Sequence, residues 1–144
     1  MIYITGDMHG EFSRFKNKKK ITFKGSNDQP MDRNKFYRIR EELHRHPELS
    51  GQEKHTIQYI RQVLQEFQPS RIHPLEKGHG LVAEYSFPGE GPTLLFRADI
   101  DAVAIAEKSP LPYCSENPGI AHKCGHDGHT TMLLMLAGFL YDHP

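Results

Sequence analysis

The sequence is most constrained where a polar stretch runs directly into an apolar one. Residues 121–130 read Ala-His-Lys-Cys-Gly-His-Asp-Gly-His-Thr, which places three histidines, a cysteine and an aspartate within eight positions. Residues 132–140 are apolar throughout except for one glycine, and a helix that is apolar on every side is typical of a buried core. We therefore predict a ligand-rich loop over residues 121–130 that leads into a buried helix.

The side chains of this loop are suited to binding a metal ion. Thiolate, imidazole and carboxylate groups can each donate a lone pair to a divalent cation. Gly125 and Gly128 allow the backbone to turn sharply between them. Histidine clusters also occur in solvated loops that bind nothing, but cysteine, histidine and glycine beside a core helix favour a metal site. The residues alone leave the choice of ligands open.

Charge and cysteine content exclude several classes of function. The 144-residue chain carries 18 basic and 18 acidic side chains, so no overall field favours nucleic acid or an anionic membrane. No apolar run approaches the ~20 residues of a membrane span. The start of the chain lacks the pattern of a secretory signal. We therefore expect a cytoplasmic protein in which Cys114 and Cys124 stay reduced.

Residues 1–31 differ in character from the rest of the chain. Residues 1–5 predict a short strand that ends at a glycine. Asp7 and His9 follow it, and this pattern resembles the first metal-binding block of calcineurin-like metallophosphoesterases. That resemblance implies that Asp7 and His9 ligate one ion of a pair, although the further blocks of that family are absent. A basic and then polar run beginning near residue 15 is interpreted as a flexible linker rather than a site for phosphate or RNA.

From residue 32 onwards the periodicity predicts regular elements. A first helix has one apolar face and ends near His46. A second helix begins with a capping box of Ser50 and Glu53, and two strands are predicted over residues 81–87 and 93–96. The apolar faces of the helices consist of Phe36, Ile39 and Leu43 in the first, and Ile57, Ile60, Leu64 and Phe67 in the second. This order of elements, closed by the apolar helix, predicts a three-layer α/β/α domain with a parallel or mixed sheet.

A second group of polar residues follows the apolar strand predicted over residues 93–96. Asp99 and Asp101 are two positions apart, so they share a face if the chain is extended. Open α/β sheets bind their ligands at the ends of strands. Two close carboxylates repel one another unless a cation, a proton or Arg97 lies between them.

Three blocks together, residues 39–50, 97–103 and 122–129, resemble the amidohydrolase branch of the M20 metallopeptidase family in order and spacing. That branch includes aminoacylase-like, hippurate and auxin-conjugate hydrolases. The resemblance covers about residues 32–144. It implies the truncated N-terminal part of a di-metal peptidase-type catalytic domain, preceded by a phosphoesterase-like leader and linker over residues 1–31.

The resemblance also implies roles for single residues. Cys124 and His126 match positions that bind a centre of two divalent ions, such as zinc or manganese. Asp101 matches the aspartate that orients a ligand histidine, while the role of Asp99 is left open. Asp127 and His129 are implied to support the loop.

The activity implied is hydrolysis of the amide bond of small N-acyl amino acids. In the family two ions activate a water molecule, and a glutamate after the cysteine block takes its proton. That glutamate, two later histidine ligands and the inserted domain through which members form homo-oligomers are not found in this sequence. We therefore expect an N-terminal fragment that is inactive alone. The alternatives are a metallophosphoesterase remnant and a non-catalytic metal-binding protein with His122 or His129 as a third ligand.

Overall fold

The computed structural model describes residues 2–5, 32–75 and 79–143. These residues form four strands and three helices. In chain order the elements are β1 (Ile2–Thr5), α1 (Arg33–Arg45), α2 (Lys54–Glu66), β2 (Arg71–Pro74), β3 (Gly80–Glu84), β4 (Phe96–Asp99) and α3 (His126–Asp142).

The strands form one mixed sheet in the order β2-β3-β1-β4. Strand β3 is antiparallel to both β2 and β1, whereas β1 and β4 run parallel. Strands β3 and β4 follow one another in the chain, yet β1 lies between them in the sheet. The mixed sheet and the helices packed on it confirm the α/β class.

The helices and the sheet enclose one apolar core. Helix α2 contacts β3, helix α3 contacts β1 and β4, and the two helices contact each other, so both lie on the same face of the sheet. Helix α1 packs against α3. The predicted apolar face of α1 is confirmed, because Phe36, Ile39 and Leu43 are all buried in this core.

Gly138 shows how closely these helices approach one another. A Cβ atom at this position would lie 3.2 Å from the ring of Phe36 and 3.2 Å from the ring of Phe67. Contacts this short are rarely tolerated without a shift of the neighbouring atoms. A glycine within α3 therefore allows the aromatic rings of α1 and of the C-terminal end of α2 to pack against the helix.

The predicted capping box at the start of α2 is wrong. Helix α2 begins at Lys54, and Glu53 at its N-cap makes no side-chain capping hydrogen bond. The cap is supplied by Glu48, whose carboxylate accepts from the amides of His55 at 3.2 Å and Thr56 at 2.7 Å. Ser50 lies in the turn before the helix, too early in the chain to cap it.

Glu53 is instead directed into the protein interior. Its side chain is fully buried, and Oε2 lies 3.2 Å from Nδ1 of His79. Burial raises the pKa of this carboxyl group, an effect that the nearby His79 partly opposes. The glutamate thus joins the start of α2 to the residue before β3.

The strand boundaries differ from those predicted. The strand predicted over residues 81–87 ends at Glu84, and the one predicted over 93–96 is shifted to Phe96–Asp99. Strand β2 was not predicted, because its sequence Arg-Ile-His-Pro has no apolar alternation. Residues 97–99 therefore lie within a strand, and the second polar group spans its end.

The last helix also differs from its prediction. Helix α3 begins at His126 rather than near residue 132, so half of the predicted loop forms its first turn. It is not buried on every side, because the side chain of Met132 is 65% exposed. Met132 lines a groove of about 580 Å³ between α1 and α3, together with Tyr37 and His129.

Candidate metal centre

Of the residues predicted to form the site, Asp101 lies just after β4, and Cys124 and His126 lie at the start of α3. The segment after β4 is held in place by Ala102, whose amide donates to the carbonyl of Glu48 at 2.7 Å. Val103 and Ala121 form a single antiparallel bridge, which returns the chain to the start of α3. Gly125 precedes this helix with φ of 76°, a left-handed conformation that favours glycine.

His126 contacts Asp101 directly. Its Nδ1 lies 2.9 Å from the backbone carbonyl oxygen and 3.0 Å from Oδ1 of Asp101. Both oxygens are acceptors when the carboxylate is ionised, so Nδ1 donates and carries the ring proton. This leaves the lone pair of Nε2 available on a side chain that is 22% exposed. The carboxylate–histidine pair is the arrangement that orients metal-ligating histidines.

Cys124 lies two residues before His126, and its thiol is free. The side chain is exposed at the protein surface. Cys114 is also free, and its sulfur lies 2.9 Å and 2.8 Å from the carbonyl oxygens of Ser109 and Leu111. The two cysteines thus form no disulfide with each other.

The carboxylate of Asp99 forms an ion pair with Arg97. The Nη2 atom of Arg97 donates to Oδ1 of Asp99. The carbonyl of Asp99 accepts from Oγ1 of Thr130 at 3.1 Å. This hydrogen bond joins the end of β4 to the first turns of α3.

A buried charged network lies behind the first turn of α3. His44 of α1 contacts carboxylates through both ring nitrogens, with Nδ1 2.9 Å from Oδ2 of Asp127 and Nε2 3.2 Å from Oε2 of Glu107. The Nε atom of Arg40 lies 3.2 Å from the same Asp127 oxygen. Asp127 thus anchors the start of α3 to α1.

The other end of this network reaches Lys123. Glu107 accepts from Nζ of Lys123 at 2.5 Å and from the amide of Ser115 at 2.8 Å. The hydrogen bond from Lys123 is the main reason that the pKa of Glu107 falls to about 2. For Asp127, burial raises the pKa, but hydrogen bonding to His44 and the charge of its neighbours lower it on balance. Lys123 and Asp127, on either side of Cys124 and His126, are therefore both held through His44 and Glu107.

The sequence did not predict Glu107 or the contact of His44 with Asp127. His44 and Asp127 lie in two of the three blocks that resemble the M20 family, but the blocks do not indicate which side chains touch, and Glu107 lies outside them. A histidine on the buried face of α1, at the position after Leu43, is the one signal that could have pointed to such a contact.

The two remaining histidines of the stretch differ in environment. His122 is buried, and neither ring nitrogen has a hydrogen-bond partner among the described residues. Burial lowers its pKa to about 4, so the ring is neutral near pH 7. His129 is exposed, with its ring centroid 6.1 Å from that of His126.

Some predicted features lie outside the part of the chain that the structure describes, or are not assembled within it. Asp7 and His9 fall outside the described residues. Within residues 32–75 and 79–143, no group of three or more histidine, cysteine, aspartate or glutamate side chains is placed to hold a metal ion. No helix in the same ranges has the length and hydropathy needed to cross a bilayer.

Known proteins resemble this chain over the same region. The model of peptidase family M20/M25/M40 matches residues 95–143. N-acetyl-L-cysteine deacetylase of Bacillus subtilis (strain 168) is 44% identical over 105 residues, which are 73% of this chain and 25% of the relative. N-acetyldiaminopimelate deacetylase of Bacillus velezensis is 37% identical over 79% of this chain and 30% of its own length.

The chain also resembles a solved structure in its fold. The YXEP protein of Bacillus subtilis, described as a dinuclear metal binding peptidase from the M20 family, superposes with a TM-score of 0.72 at 39% identity. The match covers 75% of this chain and 30% of YXEP. The chain belongs to the M20 peptidase family. This M20 chain spans between a quarter and a third of the length of these relatives.

Proposed function

We propose that this M20 chain contributes Cys124 and His126 to the metal centre of an amidohydrolase that acts on N-acyl amino acids. The contact of His126 with Asp101 carries the proposal, since it fixes the ring and leaves Nε2 free to bind an ion. The relatives named as deacetylases of N-acetylcysteine and N-acetyldiaminopimelate support the substrate class.

The donor set fits a borderline divalent ion such as zinc or manganese. An exposed thiol and a neutral imidazole nitrogen are ligands that zinc accepts readily, and imidazole also suits manganese. A thiolate ligand requires a reduced cysteine, which is consistent with the cytoplasmic location expected from the sequence. Asp101 would act as the positioning residue that keeps the histidine in the correct tautomer.

When bound, the metal pair would supply a Lewis acid that lowers the pKa of water and polarises the amide carbonyl. The residues of this chain would hold that centre at the surface between β4 and α3. Asp101 retains the proton on Nδ1 of His126, and the network through His44 keeps the first turn of α3 in place behind the ligands. Two protein ligands are fewer than the three of a typical catalytic zinc site, so we expect weak binding and no turnover by this chain alone.

Cobalt titration tests the site directly. A thiolate ligand gives a sulfur-to-cobalt charge-transfer band, which we expect on adding Co²⁺ to the purified chain. The band should disappear in Cys124→Ser and persist in Cys114→Ser, which is the matched control. Loss of the band in Cys114→Ser with retention in Cys124→Ser would contradict the assignment. Zinc and manganese added in competition then rank the two metals.

A second measurement tests the positioning role of Asp101. Asp101→Ala should weaken cobalt binding by roughly 10- to 100-fold, the usual effect of losing such a partner, whereas Asp99→Ala should change it less.

An assay with N-acetyl amino acids and added metal tests activity. Turnover by the isolated chain that is lost in Cys124→Ala would show that the chain completes its own site, contrary to our expectation.

A further inference from the structure

Strand β1 lies in the interior of the sheet, between β3 and β4. Residues 2–5 pair over their whole length with β3 on one side, from Ile2 opposite Ala83 to Thr5 opposite Gly80. On the other side they pair with β4, from Ile2 opposite Phe96 to Thr5 opposite Asp99. The strand is therefore interior, with both rows of backbone groups in use.

The places of β3 and β4 are each set by contacts that do not involve β1. Strand β3 forms a four-residue antiparallel ladder with β2, and it packs against α2. Strand β4 is joined to α3 by the hydrogen bond from Thr130 to Asp99. Just beyond it, the amide of Ala102 donates to the carbonyl of Glu48 at 2.7 Å. Strand β3 is thus held by β2 and α2, whereas β4 and the segment after it are held by α3 and Glu48.

A gap one strand wide separates β3 and β4. Neighbouring strands lie about 4.8 Å apart, so two strands with a third between them are about 9.6 Å apart and cannot share hydrogen bonds. Residues 80–83 of β3 are all buried. Their backbone groups on the β4 side would lack partners without an inserted strand, and buried unpaired amides are costly.

We propose that the space between β3 and β4 is a strand-acceptor site, and that residues 2–5 of this chain fill it by β-augmentation. Residues 2–5 thus supply an interior strand to the sheet of the described residues. The pairing ends at Asp99, two residues before Asp101, which contacts His126. The proposal does not depend on metal binding or on catalysis.

Hydrogen exchange of the wild-type chain tests the placement of the strand. We expect the amides of residues 3–5 to be protected to the same degree as those of residues 81–84, because one ladder opens as a unit. Exchange of residues 3–5 at the rate of an unstructured peptide, with residues 81–84 still protected, would overturn the proposal.

A pair of substitutions at one position then tests the acceptor site. Ile4→Pro removes an amide from the middle of β1, whereas Ile4→Val keeps the amide and a β-branched side chain. In Ile4→Pro we expect exchange in both β3 and β4 to accelerate roughly tenfold or more, or the chain to unfold, while Ile4→Val remains like the wild type. A synthetic peptide of residues 1–8, added in excess to Ile4→Pro, should restore protection of both strands. Unchanged protection in Ile4→Pro would refute the proposal.

Discussion

His44 shows how one buried side chain can organise a surface site. Its two ring nitrogens contact Asp127 and Glu107, and these carboxylates in turn hold Arg40 and Lys123. Ion pairs and hydrogen bonds offset the cost of burying a charge, and removal of one partner leaves the others uncompensated. The ligand candidates Cys124 and His126 are exposed or partly exposed, but the residues on either side of them are fixed to the interior.

At the scale of single residues, Gly138 gives the sharpest prediction. Gly138→Ala would place a methyl group 3.2 Å from the rings of Phe36 and Phe67, and such overpacking destabilises by about 1–3 kcal/mol. Gly128→Ala is the matched control in the same helix. A Cβ atom at that position would have Nε of Arg40 as its nearest neighbour, at 3.9 Å. Urea unfolding of both variants measures the difference. A Gly138→Ala chain as stable as Gly128→Ala would contradict the close packing of α3.

The candidate site was predicted from the sequence to the extent that its residues are close in sequence. Cys124 and His126 stand out because ligand-type side chains cluster with glycine, and the resemblance added Asp101 across 25 residues. The assignment of these residues to a metal centre stays a prediction. Contacts such as those of His44 depend on how α1 packs against α3, and periodicity identifies only which face of a helix is buried.

At the scale of elements, the start of α2 shows why the sequence pattern was misleading. Ser50 and Glu53 have capping-box spacing, but the turn over residues 49–52 delays the helix to Lys54. Glu48 then reaches the free amides across that turn. A carboxylate there also interacts favourably with the positive end of the helix dipole. The pattern predicted the helix correctly and its cap incorrectly, because capping depends on the path of the preceding turn.

The corrected cap can be tested by substitution. Glu48→Ala should lower the free energy of unfolding by about 1–2 kcal/mol, the usual effect of losing an N-terminal cap. Ser50→Ala should change it by less than about 0.5 kcal/mol, as expected for a surface residue without a special contact. Thermal and urea unfolding would measure both variants. Equal decreases in the free energy of unfolding of the two variants would contradict the assignment of the cap to Glu48 and would favour Ser50.

The boundaries of the strands also depend on neighbouring segments rather than on the local sequence pattern alone. Strand β2 was missed because its sequence, Arg-Ile-His-Pro, has no apolar alternation. Strand β4 was displaced because the apolar residues 94 and 95 lie before it rather than within it. Both strands are four residues long. Strands this short are defined by their neighbours rather than by their own alternation. The strand predicted over residues 1–5 is confirmed as Ile2–Thr5, but nothing in its sequence indicates that it lies in the interior of the sheet. Pairing between distant segments is not encoded in local periodicity.

At the scale of the whole molecule, stability should depend on pH through Glu107. Its folded pKa of about 2 lies below the ordinary value of 4.5, so the unfolded chain binds a proton first as the pH falls. The stabilisation is complete above about pH 4.5 and is lost as the pH decreases towards 2. We expect a loss of about 1–2 kcal/mol over this window, since the Lys123 partner is partly exposed and screened.

Two lysine variants isolate this contribution. Lys123→Met removes the main cause of the lowered pKa, and the variant should be less stable than the wild type near neutral pH and show a flatter acid profile. Lys108→Met removes an exposed lysine next to Glu107 in sequence and serves as the control. Urea unfolding followed from neutral pH to about pH 3 compares them. Identical acid profiles for Lys123→Met and the wild type would rule out this ion pair as the cause.

The edge of the sheet formed by β4 has a practical consequence for anyone who concentrates this protein. Leu94, Leu95 and Phe96 are each more than 40% exposed where the strand enters that edge. Exposed apolar side chains next to a sheet edge can associate with other molecules. The rate of self-association through these residues should increase with protein concentration, whereas the unfolding of a single chain should not depend on it. A lysine in place of Leu95 should delay the onset of turbidity without changing the melting temperature.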